Sequence, residues 1–133
     1  AVDPNQAEED GTTPLYIAAE KGNEVVAKLL LAHAAIDPNQ ATQNGRTPLF
    51  IAAEKGKEAV VELLLAHAAV DPNQAEEDGT TPLYIAAEKG NEVVAKLLLA
   101  HAAIDVNQAR VAVETKLAAE ARVAEEVRLA KEA

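Results

Sequence analysis

Three histidines stand at one spacing: His33, His67 and His101 are each 34 residues apart. A row of imidazoles first suggests metal ligation. Stacked helical units lie on the order of 10 Å apart, whereas a zinc ion needs its ligands at about 2 Å. One metal therefore cannot be shared along the row. The plainer expectation is three histidines at helix ends, near the exit turns. The other reactive residue types offer less. Acidic pairs such as Glu8-Glu9 are consecutive residues, not carboxylates opposed across a cleft. The chain has no serine and no cysteine, which excludes a serine triad, a thiolate metal site, a cysteine nucleophile and a disulfide framework. No glycine-rich phosphate loop is present. With no nucleophile and no activated base to name, the expectation is a protein that is not an enzyme and that uses no metal and no cofactor.

Any element that positions these residues must be built from a particular composition. The 133 residues suit one domain or a short repeat array. Apolar residues make up 49%, yet the aromatics are only Tyr16, Phe50 and Tyr84. The core must therefore be Leu, Ile, Val and Ala, which favours thin helical layers. Net charge is −10, and residues 1–109 hold all of it, with 17 acids against 7 bases. Such a body repels phosphate backbones, so nucleic acid is not expected as a partner. No apolar run reaches about 18 residues, so no helix is expected to span a membrane. No signal peptide is expected from the opening residues. The first residues already lie inside a repeating unit, which leaves room for an upstream segment. The lack of cysteine fits a soluble protein of a reducing compartment such as the cytoplasm, or of a bacterial expression host.

The histidine spacing belongs to a longer pattern. Asp3, Asp37, Asp71 and Asp105 recur every 34 residues, as do Asn5, Asn39, Asn73 and Asn107. Residues 1–37 are identical to residues 69–105, whereas 41–74 differs from 7–40 at 10 of 34 positions. Each unit can be read physically. Gly11 permits positive φ in a tight turn. Thr13 can cap a helix that begins at Pro14. Leu15, Ile17, Ala18 and Ala19 follow, and Gly22 stops that helix. Glu24 opens a second helix with Val25, Val26, Leu29, Leu30 and Leu31. Asp37-Pro38-Asn39 turns into the next unit. One such unit cannot bury its own apolar faces, but stacked units share a continuous core.

The string Gly11-Thr12-Thr13-Pro14-Leu15, then Ala18-Ala19, Gly22 and Leu29-Leu30-Leu31, resembles the ankyrin repeat. It recurs at Gly45-Arg46-Thr47-Pro48-Leu49 and at Gly79-Thr80-Thr81-Pro82-Leu83. The resemblance covers residues 1–109 and implies an all-α helix-turn-helix solenoid with extended turns between repeats. The expected repeats are 7–40, 41–74 and 75–108. Two departures stand out. Tyr16, Phe50 and Tyr84 replace a frequent histidine, which removes its usual hydrogen bond near the turn. The period of 34 exceeds the common ankyrin length of about 33. The extra residue falls in Ala32-His33-Ala34-Ala35-Ile36, where no glycine ends the second helix. That helix is therefore expected to run on or to end less sharply.

The resemblance also implies that protein partners meet the turn tips and the exposed side of the first helix. Those positions are Glu9, Asp10, Thr12, Glu20 and Lys21 in the first repeat. The second offers Gln43, Asn44, Arg46, Glu54 and Lys55, and the third offers Glu77, Asp78, Thr80, Glu88 and Lys89. The helix positions are the same in all three repeats, and only the middle tip departs. There Thr42, Gln43, Asn44 and Arg46 replace Glu8, Glu9, Asp10 and Thr12, which sets a basic tip between acidic ones. Arg46 reads either as an anchor for a partner's carboxylate or as a solvated charge that relieves repulsion between tips.

After Asn107 the pattern stops. Residues 110–133 form four six-residue blocks, RVAVET, KLAAEA, RVAEEV and RLAKEA. Alternation favours a strand, but composition favours a helix, and 24 residues are too many for a usual strand. A C-terminal helix about 36 Å long is expected, at about 1.5 Å per residue. Its candidate contact residues, Val111, Val113, Leu117, Val123, Val127 and Leu129, spread around the axis instead of forming one seam. This helix is expected either to cap the third repeat or to touch a neighbouring chain. Long identity between copies points to an engineered, consensus-like array, with recent gene duplication as the alternative. It also argues against a face specialised for one partner. The first expectation is thus a scaffold that self-associates as a homo-oligomer through its ends or terminal helix. The second is a module that holds a separate protein at the tips around Arg46.

Overall fold

Thr13, Thr47 and Thr81 set the start of the first helix in each unit. Each hydroxyl oxygen accepts the backbone N–H three residues on, from Tyr16 at 3.1 Å, Phe50 at 3.1 Å and Tyr84 at 3.2 Å. One of the donors that a helix start leaves open is thereby satisfied. The proline that follows has no N–H to lose at that position. The computed structural model describes residues 3–101, 103–105, 128 and 130. Among these residues there are six regular helices and no strand: α1 (Pro14–Lys21), α2 (Glu24–Leu31), α3 (Pro48–Lys55), α4 (Glu58–Ala66), α5 (Pro82–Lys89) and α6 (Glu92–Ala100). The expected helix over 110–133, with its six apolar contact candidates, lies outside the described residues apart from Arg128 and Ala130, which are helical.

Each first helix ends at a glycine. Gly22 has φ of 71° and returns its N–H to the Ala18 and Ala19 carbonyls, a left-handed cap that suits a residue without Cβ. The second helices open where expected, at Glu24 in the first unit, and lack a glycine at their ends. They do not run on: α2 stops at Leu31, α4 at Ala66 and α6 at Ala100. No non-glycine residue described here takes positive φ, so the exit is made with ordinary backbone. The histidines make it. Nδ1 of His33 accepts the N–H of Ala35 at 3.0 Å, and His67 and His101 repeat this at 3.1 Å with Ala69 and Ala103. A ring nitrogen thus replaces the missing glycine by holding the chain in a turn.

Helices of eight or nine residues are too short to persist alone in water. Packing stabilises them in two rows. In one row α3 contacts both α1 and α5, in the other α4 contacts both α2 and α6, and each unit's own two helices pair. Ala19, Ala52, Ala53 and Ala86 are fully buried, and their small side chains let the helices approach closely. Leu15, Leu49, Leu83, Leu64 and Leu98 fill the space between rows. Burying one such side chain contributes about 1.5–3 kcal/mol.

A polar ladder runs beside this core. Asn5 donates from Nδ2 to the Ala35 carbonyl at 2.7 Å and accepts the Asp37 N–H at 2.7 Å. Asn39 does the same with Ala69 and Asp71, and Asn73 with Ala103 and Asp105. The aspartate two residues earlier fixes each asparagine's own turn: Asp37 Oδ1 accepts the Asn39 N–H at 3.0 Å. The residues that recur most plainly in the sequence are therefore cross-links between successive units.

Candidate functional site

Each tip is a closed turn. In the first, Glu8 N–H donates to the Thr12 carbonyl and Gly11 N–H to the Glu8 carbonyl, both at 2.9 Å. Asp10 Oδ1 accepts the Thr12 N–H at 2.9 Å. Asp78 repeats this with Thr80 at 3.0 Å. The middle tip has asparagine at that place, and Thr42 takes over the role: its hydroxyl accepts the Arg46 N–H at 3.3 Å. The tips are also tied to one another. Gln43 N–H donates to the Asp10 carbonyl and Glu77 N–H to the Asn44 carbonyl, both at 2.9 Å. The Gln43 side-chain amide reaches the Glu9 carbonyl as well.

Two grooves lie between the tips. The first, of about 330 Å³, runs between tips one and two. It brings together six of the positions expected from sequence: Asp10, Thr12, Glu20, Gln43, Asn44 and Arg46. Tyr16 and Thr42, which stood out in the sequence as departures but not as partner contacts, complete its lining. The second groove, of about 420 Å³, joins Asn44 and Arg46 to Glu76, Glu77 and Asp78. The remaining candidates line neither groove. Glu54 is half-buried on α3, and Lys21, Lys55, Glu88 and Lys89 are exposed at the ends of the first helices. Each of those lysines lies in the last turn of its helix, where a cation is favoured by the helix dipole. Glu9 is exposed and Thr80 half-buried at their tips.

Arg46 is the electrostatic centre of this surface. Its Nε donates to Glu76 Oε2 at 2.9 Å. Its guanidinium carbon lies 5.3 Å from the centroid of the Phe50 ring, within cation–π range. The carboxylate for which Arg46 reads as an anchor is thus supplied by the chain itself, from the next unit. Sequence reading missed Glu76 because its copy, Glu8, has the same identity and faces no arginine. The one signal was positional: Arg46 is the single base on the three tips and has acids on both sides, Glu8, Glu9 and Asp10 before it and Glu76, Glu77 and Asp78 after it, which does not say which of them it pairs with.

The surrounding acids differ in state. Burial raises the Glu76 carboxyl above the ordinary glutamate range, and a hydrogen bond with Asp78 adds to this, against the pull of Arg46. Hydrogen bonds from the side chain and backbone of Thr80 hold Asp78 below the ordinary aspartate range, and those from Thr12 do the same for Asp10. Burial raises the Tyr16 hydroxyl. Arg46 opposes that rise, while Glu20 and Glu54 add to it. The first groove therefore has an aromatic wall, a guanidinium already neutralised by Glu76, and two rim carboxylates at Asp10 and Glu20.

The histidines stand elsewhere. Their Nδ1 atoms are acceptors in the exit turns, which places the neutral ring's proton on Nε2. That of His101 lies 3.2 Å from the Leu65 carbonyl of the preceding unit. Asp37 and Asp71, four residues on from His33 and His67, are occupied in their own turns.

A family model described as ankyrin repeats, in three copies, matches residues 1–76 and 35–110. A search of curated proteins gives no match to the chain.

Proposed function

The chain belongs to the ankyrin-repeat family, and from that premise we propose that it is a non-catalytic protein-interaction module whose binding surface is the groove between its first two tips. Ankyrin repeats are generally protein-interaction modules. The observation that carries the narrower reading is the lining of that groove, where a tyrosine ring and a hydrogen-bonded tip floor meet the rim carboxylates Asp10 and Glu20. Because Arg46 is paired with Glu76, the charge left for a partner is negative. The fitting partner is a protein surface that presents lysine or arginine, as the net charge of −10 also favours. The test is to select peptides from a displayed random library against the whole chain and measure their affinity for charge-reversed variants. Glu20→Lys should weaken the selected binders about tenfold or more. Lys28→Glu, on the exposed side of α2, should leave them unchanged. Binders that ignore Glu20→Lys would remove the groove from consideration.

A second reading is self-association as a scaffold. The observation in its favour is on α2, where Val25 and Leu29, one helical turn apart, are both 69% exposed. Large apolar side chains at this spacing form a stripe that another surface can cover. The identity of residues 1–37 with 69–105 supports an engineered or recently duplicated array of this kind. Light scattering after size exclusion decides it: a mass above one chain that falls on Leu29→Lys supports association, and a monomer throughout the micromolar range ends it.

A further inference from the structure

The two kinds of unit do not meet each other in the same way. Where the middle unit meets the third, Arg46 pairs with Glu76 at 2.9 Å. Asn91 donates from Nδ2 to the Ala53 and Glu54 carbonyls at 2.7 and 3.1 Å, closing the C-terminal end of α3. Where the first unit meets the middle one, the asparagine is replaced by Lys57, whose stem lies over Gly22. Arg46 has no counterpart in the outer units, which carry Thr12 and Thr80 there.

The first unit carries every side chain that the third uses to face the middle one. Glu8 corresponds to Glu76, Ile17 to Ile85, Asn23 to Asn91 and Val26 to Val94, because residues 1–37 and 69–105 are identical. Their surroundings are not identical. Ile85 and Val94 are 6% and 1% exposed, whereas Ile17 and Val26 are both 39% exposed. Asn91 reaches across to the middle unit and makes no cap for its own helix. Asn23 caps its own helix instead and accepts the Val26 N–H at 3.3 Å. A groove of about 380 Å³ lies over this face, lined by Glu8, Pro14, Ile17, Asn23 and Val26 among others.

We propose that the array is written in two complementary unit types, and that the leading face of the first unit is a docking face for a repeat of the middle type. The occupant is defined by chemistry: an ankyrin repeat with arginine at the Arg46 position and phenylalanine beneath it. Its arginine pairs with Glu8 as Arg46 pairs with Glu76. Its first-helix carbonyls take the Asn23 amide, and its apolar face covers Ile17 and Val26. A unit of the outer type offers threonine in place of that arginine and leaves Glu8 without its cation. The third unit of a second copy is of the outer type, so end-to-end stacking of two copies would be mismatched at the tip.

The sequence allows a controlled test on the full chain. Residues 1–6 are the same as residues 69–74, so a copy of residues 41–68 placed ahead of Ala1 continues without a break as a middle-type repeat. A copy of residues 7–34 at the same place gives an outer-type repeat of equal length. Urea unfolding of the two extended chains is compared with that of the original. The middle-type extension should raise the midpoint above that of the outer-type extension, by on the order of 0.5 M. Replacing the arginine of the added copy by threonine (Arg46→Thr in the copied segment) should remove most of that advantage. An outer-type extension that stabilises equally or better would overturn the proposal. So would a middle-type extension that leaves the midpoint unchanged, or an advantage that survives the threonine replacement.

Discussion

Asn39 donates to the Ala69 carbonyl at 2.7 Å and accepts from the Asp71 amide at 2.8 Å, so one side chain satisfies two backbone groups of the following unit. Asn39→Ala strips both partners at once and should destabilise the fold by about 1–3 kcal/mol, seen as a lower urea midpoint; an unchanged midpoint would mean that water replaces the side chain at little cost. At this scale the sequence announced which positions matter but not what they do. The spacing of 34 marks asparagine, aspartate and histidine alike. Their roles depend on which atom faces which carbonyl or amide, and that is set by the stack. The imidazoles illustrate this: as a row they suggested ligands, and each is an acceptor two residues from its own amide donor. Arg46 is the opposite case. Its chemistry was legible and its partner was not, because Glu76 lies 30 residues away and is distinguished from Glu8 only by what stands opposite.

The helix ends that were legible are the local ones: both ends of the first helices, and the start of the second helix at Glu24. Thr13-Pro14 and Gly22 define a start and a stop from adjacent residues alone, and α1, α3 and α5 follow them. The second helices have no such stop signal, and their ends are fixed by the histidine turn and the asparagine of another unit. The tips show how close the units approach. Gly45 has φ of 79°, and a Cβ there would lie 2.9 Å from the Glu77 nitrogen. Gly79 has φ of 89° with nothing within 4 Å. Gly79→Ala should therefore cost only the backbone strain, about 1–2 kcal/mol. Gly45→Ala adds a clash with the next tip and should lower the urea midpoint further. Equal losses at the two sites would show that the tips can separate freely.

Across the whole molecule the architecture was legible because repetition states it outright: three copies of one unit imply one stacking operation. What repetition hides is where the copies differ in use. Glu8 and Glu76, Asn23 and Asn91, and Ile17 and Ile85 are pairs of identical residues with different neighbours. The middle unit generates that difference through Arg46, Phe50 and Lys57. The same substitutions give the first groove its character, since Arg46 is engaged by Glu76 and the rim is left acidic. The most direct measurement of the central claim maps where a partner sits. An isotope-labelled chain is titrated with a selected lysine- or arginine-rich peptide, and backbone amide shifts are followed residue by residue. The largest changes should fall on Asp10, Tyr16, Glu20 and Gln43, with α2, α4 and α6 nearly still. Changes concentrated on those second helices, with the tips unmoved, would contradict it.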